Sequence, residues 1–149
     1  MVKVLFVCVH NSARSQMAEA YLNKLGKGLF YAESAGLEAG NLNPFVVKVM
    51  AEDGYDISKN KTKKVFDFFK EGRKYSFVVK VCVELNGQKC PIFPGAKNNI
   101  NWNLEDPSSL VGTDEAKLNR TREIRDLVKA KVQAFIKEHE AFAKQRAAE

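Results

Sequence analysis

The chain has 149 residues, of which 45% are hydrophobic and 28% are charged, and its formal net charge is +6. This size and composition are typical of one globular domain spanning residues 1–149, and no apolar run is long enough to cross a bilayer. Because the Lys and Arg residues are scattered among Asp and Glu, we expect no nucleic-acid or membrane partner. We expect a cytoplasmic monomer.

Hydrophobic periodicity predicts strands that alternate with helices along the chain. Such alternation predicts an α/β fold with three layers, in which a four-stranded parallel sheet carries helices on both faces. The predicted elements, in chain order, are a strand at Val2–Val7, a helix at Ser15–Leu25, a strand at Leu29–Ala35, a helix from Pro44 to about Asp53, a helix at Lys63–Lys70, a strand at Tyr75–Val81, a strand at Asn99–Trp102, and a long helix that Thr113 caps and that frays beyond Glu138.

The segment that joins the first predicted strand to the first predicted helix begins with Cys8 and ends with Arg14 and Ser15. A helix N-terminus offers unpaired backbone N–H groups and a positive dipole end, which together bind a tetrahedral oxyanion. Arg14 adds a planar guanidinium with several donors. The same field favours the thiolate form of a cysteine. The spacing therefore predicts a nucleophilic Cys8 beneath a bound oxyanion such as phosphate or arsenate.

The chain has three cysteines, Cys8, Cys82 and Cys90. In a reducing compartment an odd number of cysteines favours catalytic or redox use over static disulfides. With only two histidines and a wide Cys82–Cys90 spacing, we expect neither a metal site nor another cofactor. Cys82 ends the third predicted strand. If that strand lies beside the first, Cys8 and Cys82 face one crevice at the carboxyl end of the sheet.

A set of motifs along almost the whole chain resembles the low-molecular-weight protein tyrosine phosphatase superfamily. The segment from Cys8 to Glu19 is similar to the signature of that superfamily, which implies its fold. The motifs that resemble its thioredoxin-coupled arsenate reductase branch are Ser34-Ala35-Gly36, Leu42-Asn43-Pro44, Cys82 and Cys90-Pro91, with Trp102 and Asp106-Pro107 also in agreement.

The resemblance implies a three-cysteine relay that reduces arsenate to arsenite. Cys8 attacks arsenate, Asp106 protonates the leaving oxygen, and Cys82 attacks the Cys8 sulfur so that arsenite leaves. Cys90 then attacks Cys82, and thioredoxin reduces the Cys82–Cys90 disulfide. Phosphate and sulfate are expected as competing anions. The loop residues that surround the oxyanion are implied to be His10, Asn11, Ser12, Ala13, Arg14 and Ser15.

Two departures from the superfamily pattern concern the support of this loop. Many relatives have glycine where His10 stands, and a tight loop there often needs a positive φ. Asn11, Glu19 and Ser34 match positions that bind potassium in some relatives. The fourth such position is an aspartate in those proteins and falls on Lys64 here. We expect the Lys64 ammonium to replace the cation, and therefore no potassium dependence.

Two alternatives remain open at this point. The first is a low-molecular-weight phosphatase that uses Cys8, Arg14 and Asp106, because the anion loop does not separate phosphate from arsenate by charge or shape. Residual phosphatase activity is expected even in a reductase. The second is a non-enzymatic domain that senses oxyanions or binds nucleic acid, which would use the positive charge but not the cysteines.

Overall fold

The computed structural model describes residues 1–82, 93 and 95–148. Its central feature is a parallel sheet of four strands in the order β2-β1-β3-β4. The elements, in chain order, are β1 (Val2–Cys8), α1 (Arg14–Leu25), β2 (Phe30–Gly36), α2 (Pro44–Glu52), α3 (Val65–Lys70), β3 (Phe77–Lys80), β4 (Asn98–Asn101), a 3₁₀ turn (Pro107–Ser109) and α4 (Asp114–Ala147). The predicted fold class is confirmed.

The central strand β1 is almost continuously apolar because both of its faces are covered. Val4 and Phe6 belong to a large buried cluster with residues of α1, α2 and α4, whereas Leu5 and Val7 belong to a smaller cluster with residues of α3. Helices therefore cover both faces, and the three layers predicted from the sequence are present.

The starts of α2 and α4 follow the side-chain capping that the sequence predicts. The Asn43 Oδ1 accepts hydrogen bonds from the N–H groups of Phe45 (2.8 Å) and Val46 (3.3 Å) at the start of α2, and Pro44 occupies the first helical position. The Thr113 hydroxyl accepts from the Ala116 N–H at the start of α4. None of the helices in the part of the chain that the model describes is long and apolar enough to cross a membrane.

The predicted fraying of the last helix beyond Glu138 is wrong, because α4 continues to Ala147. Its last turns are held by apolar contacts near the amino end of the sheet. The ring centroid of Phe77 lies 4.5 Å from that of His139 and 6.0 Å from that of Phe142, and Ala143 is fully buried. The polar composition of this segment concealed the few residues that anchor it.

Candidate active site

The loop that joins β1 to α1 lies at the carboxyl end of the central strand, where parallel α/β sheets bind ligands. The segment after β2 holds it from one side. The Gly40 N–H donates to the His10 carbonyl (3.0 Å), and the Asn43 N–H donates to the Ser12 carbonyl (2.9 Å). The loop is therefore fixed by backbone hydrogen bonds to a neighbouring connection.

The conformational strain of this loop falls on Asn11, which has a φ of 55°. His10 is not among the described residues with positive φ, so the expectation that His10 would need this conformation is wrong. Asparagine tolerates the left-handed region better than most residues do. The His10 side chain instead lies at the rim, where its Nδ1 is 3.7 Å from a carboxylate oxygen of Glu38.

Two hydrogen-bonding groups contact the buried sulfur of Cys8. The Asn11 N–H donates to the Cys8 Sγ at 3.1 Å, and the Ser15 Oγ lies 2.8 Å from the same sulfur. Cys8 is only 3% exposed. Two hydrogen-bonding groups therefore lie against the sulfur at the position where the sequence predicts the nucleophile.

The side chain of Asn11 connects this sulfur to the rest of the fold. The Asn11 Nδ2 donates to the Ser15 Oγ (2.9 Å). The Asn11 Oδ1 accepts from the backbone N–H of Lys63 (2.9 Å) and from the Nε2 of Gln16 (3.0 Å). Asn11 and Ser15 are fully buried, so their orientation is set by the protein and not by solvent.

Arg14 lies at the start of α1 and is 6% exposed. One terminal nitrogen donates to the Leu104 carbonyl (2.7 Å), and the other lies 3.7 Å from an Asp106 carboxylate oxygen. Within the part of the chain that the model describes, the buried Arg14 Nε makes no hydrogen bond, nor do the backbone N–H groups of Ser12 and Ala13. Buried donors of this kind normally have partners, and here they fit an oxyanion ligand.

Asp106 lies beside Arg14 on the loop that follows β4, and its side chain is 32% exposed. Its Oδ1 accepts from the Ser108 N–H (2.9 Å), which holds the carboxyl at the start of the 3₁₀ turn. The neighbouring Glu105 turns away and forms hydrogen bonds of 3.0 and 3.1 Å with Arg120, which lower the pKa of Glu105. The structure thus separates the two adjacent carboxylates.

The lysine that supports the loop is Lys63, and the sequence-based choice of Lys64 is wrong by one residue. The Lys63 Nζ lies 3.4 Å from a carboxylate oxygen of Glu19, whereas Lys64 is exposed and precedes α3. Burial raises the pKa of Glu19, and Lys63 and Ser34 partly offset that rise. The Ser34 hydroxyl is buried near Glu19 but makes no hydrogen bond of normal geometry to a described residue.

Cys82 follows β3, which lies directly beside β1, so the condition under which the sequence places Cys8 and Cys82 at one crevice is met. Its Sγ is 4.0 Å from the carbonyl oxygen of Val7, the residue before Cys8. Cys82 is disulfide-bonded, whereas Cys8 is a free thiol. Cys90, the third predicted thiol, lies outside the described residues.

Sequence reasoning missed three contributors to this site, namely Gln16, Lys63 and Leu104. Gln16 stands next to Ser15 in the signature, and that position beside a predicted anion ligand was an available signal. Leu104 acts through its backbone carbonyl, which no side-chain pattern reveals. Lys63 acts through both its backbone N–H and its side-chain ammonium. Its position depends on the path of the irregular segment between α2 and α3, which no periodic pattern predicts.

Comparison with known proteins shows the family to which this chain is similar. The family model described as low molecular weight phosphotyrosine protein phosphatase matches residues 3–147. An arsenate reductase of Halalkalibacterium halodurans is 35% identical over 132 residues, which are 89% of this chain and 93% of that protein.

Two solved structures are also similar. An arsenate reductase in the phosphate-binding state has a TM-score of 0.75 and 32% identity, covering 93% of this chain and 98% of that one. A thioredoxin-dependent arsenate reductase of Corynebacterium glutamicum has a TM-score of 0.68 and 28% identity, covering 95% of this chain and 63% of that one. The chain belongs to the low molecular weight phosphotyrosine protein phosphatase family.

Proposed function

We propose that this protein reduces arsenate to arsenite through Cys8, Cys82 and Cys90, with thioredoxin as the final reductant. The observation that carries the proposal is the position of Cys82 just after β3, the strand beside β1, with its sulfur 4.0 Å from the Val7 carbonyl oxygen. A phosphatase needs one nucleophilic cysteine, whereas a second cysteine at the same crevice provides an acceptor for a redox step. The similarity to arsenate reductases supports the same conclusion.

The first step forms a bond between the Cys8 sulfur and arsenic. The thiolate attacks the arsenic atom, the As–O bond opposite breaks, and the leaving oxygen takes a proton from Asp106 and departs as water. Arg14 and the loop N–H groups hold the remaining oxygens. The position of Asp106 beside Arg14 suits this role, because one residue then holds the oxyanion while its neighbour protonates it.

The second step transfers two electrons. The Cys82 thiolate attacks the Cys8 sulfur, the S–As bond breaks, and its electron pair stays on arsenic, which leaves as arsenite. Cys90 attacks Cys82 and releases Cys8 as a thiolate. The dithiol of thioredoxin then reduces the Cys82–Cys90 disulfide and supplies the two electrons and two protons that complete the cycle.

The state of the cysteines in the structure is compatible with the end of this relay. Cys8 is a free thiol, whereas Cys82 is disulfide-bonded. Because the cycle needs reduced thiols and an external dithiol, we propose a cytoplasmic location. We also propose a monomer in which residues 1–149 form one domain, since all four described strands belong to one sheet.

A phosphatase is the second candidate, and the geometry around Arg14 favours it as a side activity. The donors that fit arsenate fit phosphate equally well, because the two anions share charge and shape. Ser108 and Ser109 follow the Asp106-Pro107 pair where phosphatases of this family often have tyrosines. Ser108 and Ser109 offer no aromatic surface that would hold a phosphotyrosine ring. We therefore expect the phosphatase activity to be limited to slow hydrolysis of small phosphate esters.

The test is arsenate-dependent oxidation of NADPH in the presence of thioredoxin and thioredoxin reductase, measured on wild type and on three serine variants. We expect Cys8→Ser, Cys82→Ser and Cys90→Ser all to lose turnover. Hydrolysis of p-nitrophenyl phosphate is the internal control for an intact anion loop. It should survive in Cys82→Ser and Cys90→Ser and disappear in Cys8→Ser. Full arsenate turnover by Cys82→Ser or Cys90→Ser would overturn the relay.

A further inference from the structure

Gln16 is fully buried directly behind the nucleophile loop, and its amide group contacts three acceptors. Its Nε2 lies 3.0 Å from the Asn11 Oδ1, 3.2 Å from the Asn11 carbonyl oxygen and 3.1 Å from the Lys61 carbonyl oxygen. On its other side, the Asn60 Nδ2 donates to the Gln16 Oε1 at 3.2 Å. Gln16 therefore links the loop to the segment at residues 60–63.

The orientation of the Gln16 and Asn11 side-chain amides is determined by backbone groups that can only donate or only accept a hydrogen bond. The Lys61 carbonyl and the Asn11 carbonyl only accept, so the NH₂ group of Gln16 must face them. The Lys63 N–H only donates, so the oxygen of the Asn11 side chain must face it. Rotating either amide by half a turn would bring two donors or two acceptors together.

This fixed order determines where the proton of Ser15 points. With its oxygen held by Lys63 and Gln16, the Asn11 side chain presents its NH₂ to the Ser15 Oγ. The Ser15 hydroxyl accepts that bond, and its single proton is then available for the Cys8 sulfur 2.8 Å away. Gln16 reaches the sulfur only through these two residues.

We propose that Gln16 is a positioning residue that aligns the hydrogen bonds on Cys8 and thereby sets the reactivity of this thiolate. The inference rests on the nucleophilic role of Cys8 in the proposed function, but it does not depend on arsenate being the substrate. Without Gln16, only the Lys63 N–H holds the Asn11 side-chain oxygen, so Asn11 and the Ser15 proton are less firmly aligned with the Cys8 sulfur. The thiolate form is then less favoured.

The experiment is the pH dependence of Cys8 alkylation by iodoacetamide, in full-length chains that carry Cys82→Ser and Cys90→Ser so that one thiol remains. We expect Gln16→Leu to move the midpoint of the rate profile upward by about one pH unit, as for the loss of one hydrogen bond to a charged group. Below the midpoint the rate falls roughly tenfold. Gln133→Leu, an exposed change on α4, is the matched control and should leave the midpoint unchanged.

Two further measurements separate positioning from a general structural role. In a Ser15→Ala background, Gln16→Leu should cause no additional shift of the alkylation midpoint. The Ser15 hydroxyl, through which Gln16 reaches the Cys8 sulfur, is already absent there. Inhibitory binding of inorganic phosphate should stay within about threefold of wild type, since Gln16 does not reach the anion. An unchanged midpoint in Gln16→Leu, or an equal shift in the Ser15→Ala background, would overturn the proposal. A parallel loss of phosphate binding would do the same.

The conservative variant Asn60→Leu keeps the proposal testable if Gln16→Leu does not fold. It removes the donor to the Gln16 Oε1 but leaves the contacts of Gln16 to Asn11 in place. We expect a smaller upward shift of the same midpoint, seen as a fall of about two- to threefold in the alkylation rate below the midpoint. No shift at all, or a shift of more than about one pH unit, would contradict this order of hydrogen bonds.

Discussion

Replacement of Gly36 by alanine tests the rigidity of the nucleophile loop. Gly36 ends β2, and a Cβ atom built there would lie 2.7 Å from the Asn11 nitrogen and 2.8 Å from both the Glu38 oxygen and the His10 carbonyl carbon. All three are backbone atoms, so no side-chain rotation relieves the contact. Ordinary van der Waals contact begins near 3.4 Å, and the backbone must therefore move by about 0.7 Å to relieve the shortest contact.

The magnitude of the effect follows from that displacement. Overpacking of this kind lowers the free energy of unfolding by about 1–3 kcal/mol. For a chain of this size, a loss of about 2 kcal/mol lowers the melting temperature by about 4–8 °C. The loss of activity should be larger, because a catalytic misplacement approaching 1 Å costs about a hundredfold in rate. We therefore expect kcat/KM for arsenate to fall by about two orders of magnitude in Gly36→Ala.

The coupled thioredoxin assay measures the activity, and calorimetry measures the stability. Gly72→Ala is the matched control, since Gly72 has a φ of +73° and no atom within 4 Å of the new Cβ. It should lose about 1 kcal/mol of stability from backbone strain and keep its activity. If Gly36→Ala retained activity within twofold of wild type with the same melting temperature, the loop would be far more compliant than these contacts allow.

The other predictions concern charge. Asp106→Asn should lower arsenate turnover by about 10²–10⁴-fold. Its effect on hydrolysis of p-nitrophenyl phosphate should be much smaller, because that leaving group needs no proton. Equal losses on both substrates would argue against Asp106 as the proton donor. Burial raises the pKa of Glu19, so its ionised form costs stability at neutral pH. In urea unfolding, wild type should therefore gain stability relative to Glu19→Gln as the pH falls from 7 toward 4.5. A difference in unfolding free energy that stays constant over this range would contradict the prediction. Turnover should not respond to potassium at constant ionic strength, since the Lys63 ammonium already lies beside Glu19; stimulation by potassium would contradict that expectation.

The parts of the site that the sequence predicts well are those where local pattern and position coincide. A continuous apolar strand, a cysteine at its end and an arginine at the start of the next helix are enough to predict the Cys8–Arg14 loop. The parallel order of the strands then predicts that Cys82 lies nearby. Each of these inferences depends on residues that are close in sequence or on the regular geometry of a sheet.

The errors arise where the chain is irregular or where the backbone supplies the contact. The choice between Lys63 and Lys64 depends on the path of residues 53–64, which has no periodicity to fix a register. The positive φ at Asn11 instead of His10 depends on how the loop packs against Gly36. The end of α4 depends on Phe142 and Ala143, two residues in a polar segment.

The contacts that complete the loop have a consequence for the order of folding. Asn11 and Lys63 are 52 residues apart, and Arg14 and Leu104 are 90 residues apart. Closing such long loops is entropically costly and is favourable only after the sheet has assembled. We therefore expect the contacts that fix the loop around Cys8 to form among the last contacts of the chain, after the sheet has assembled.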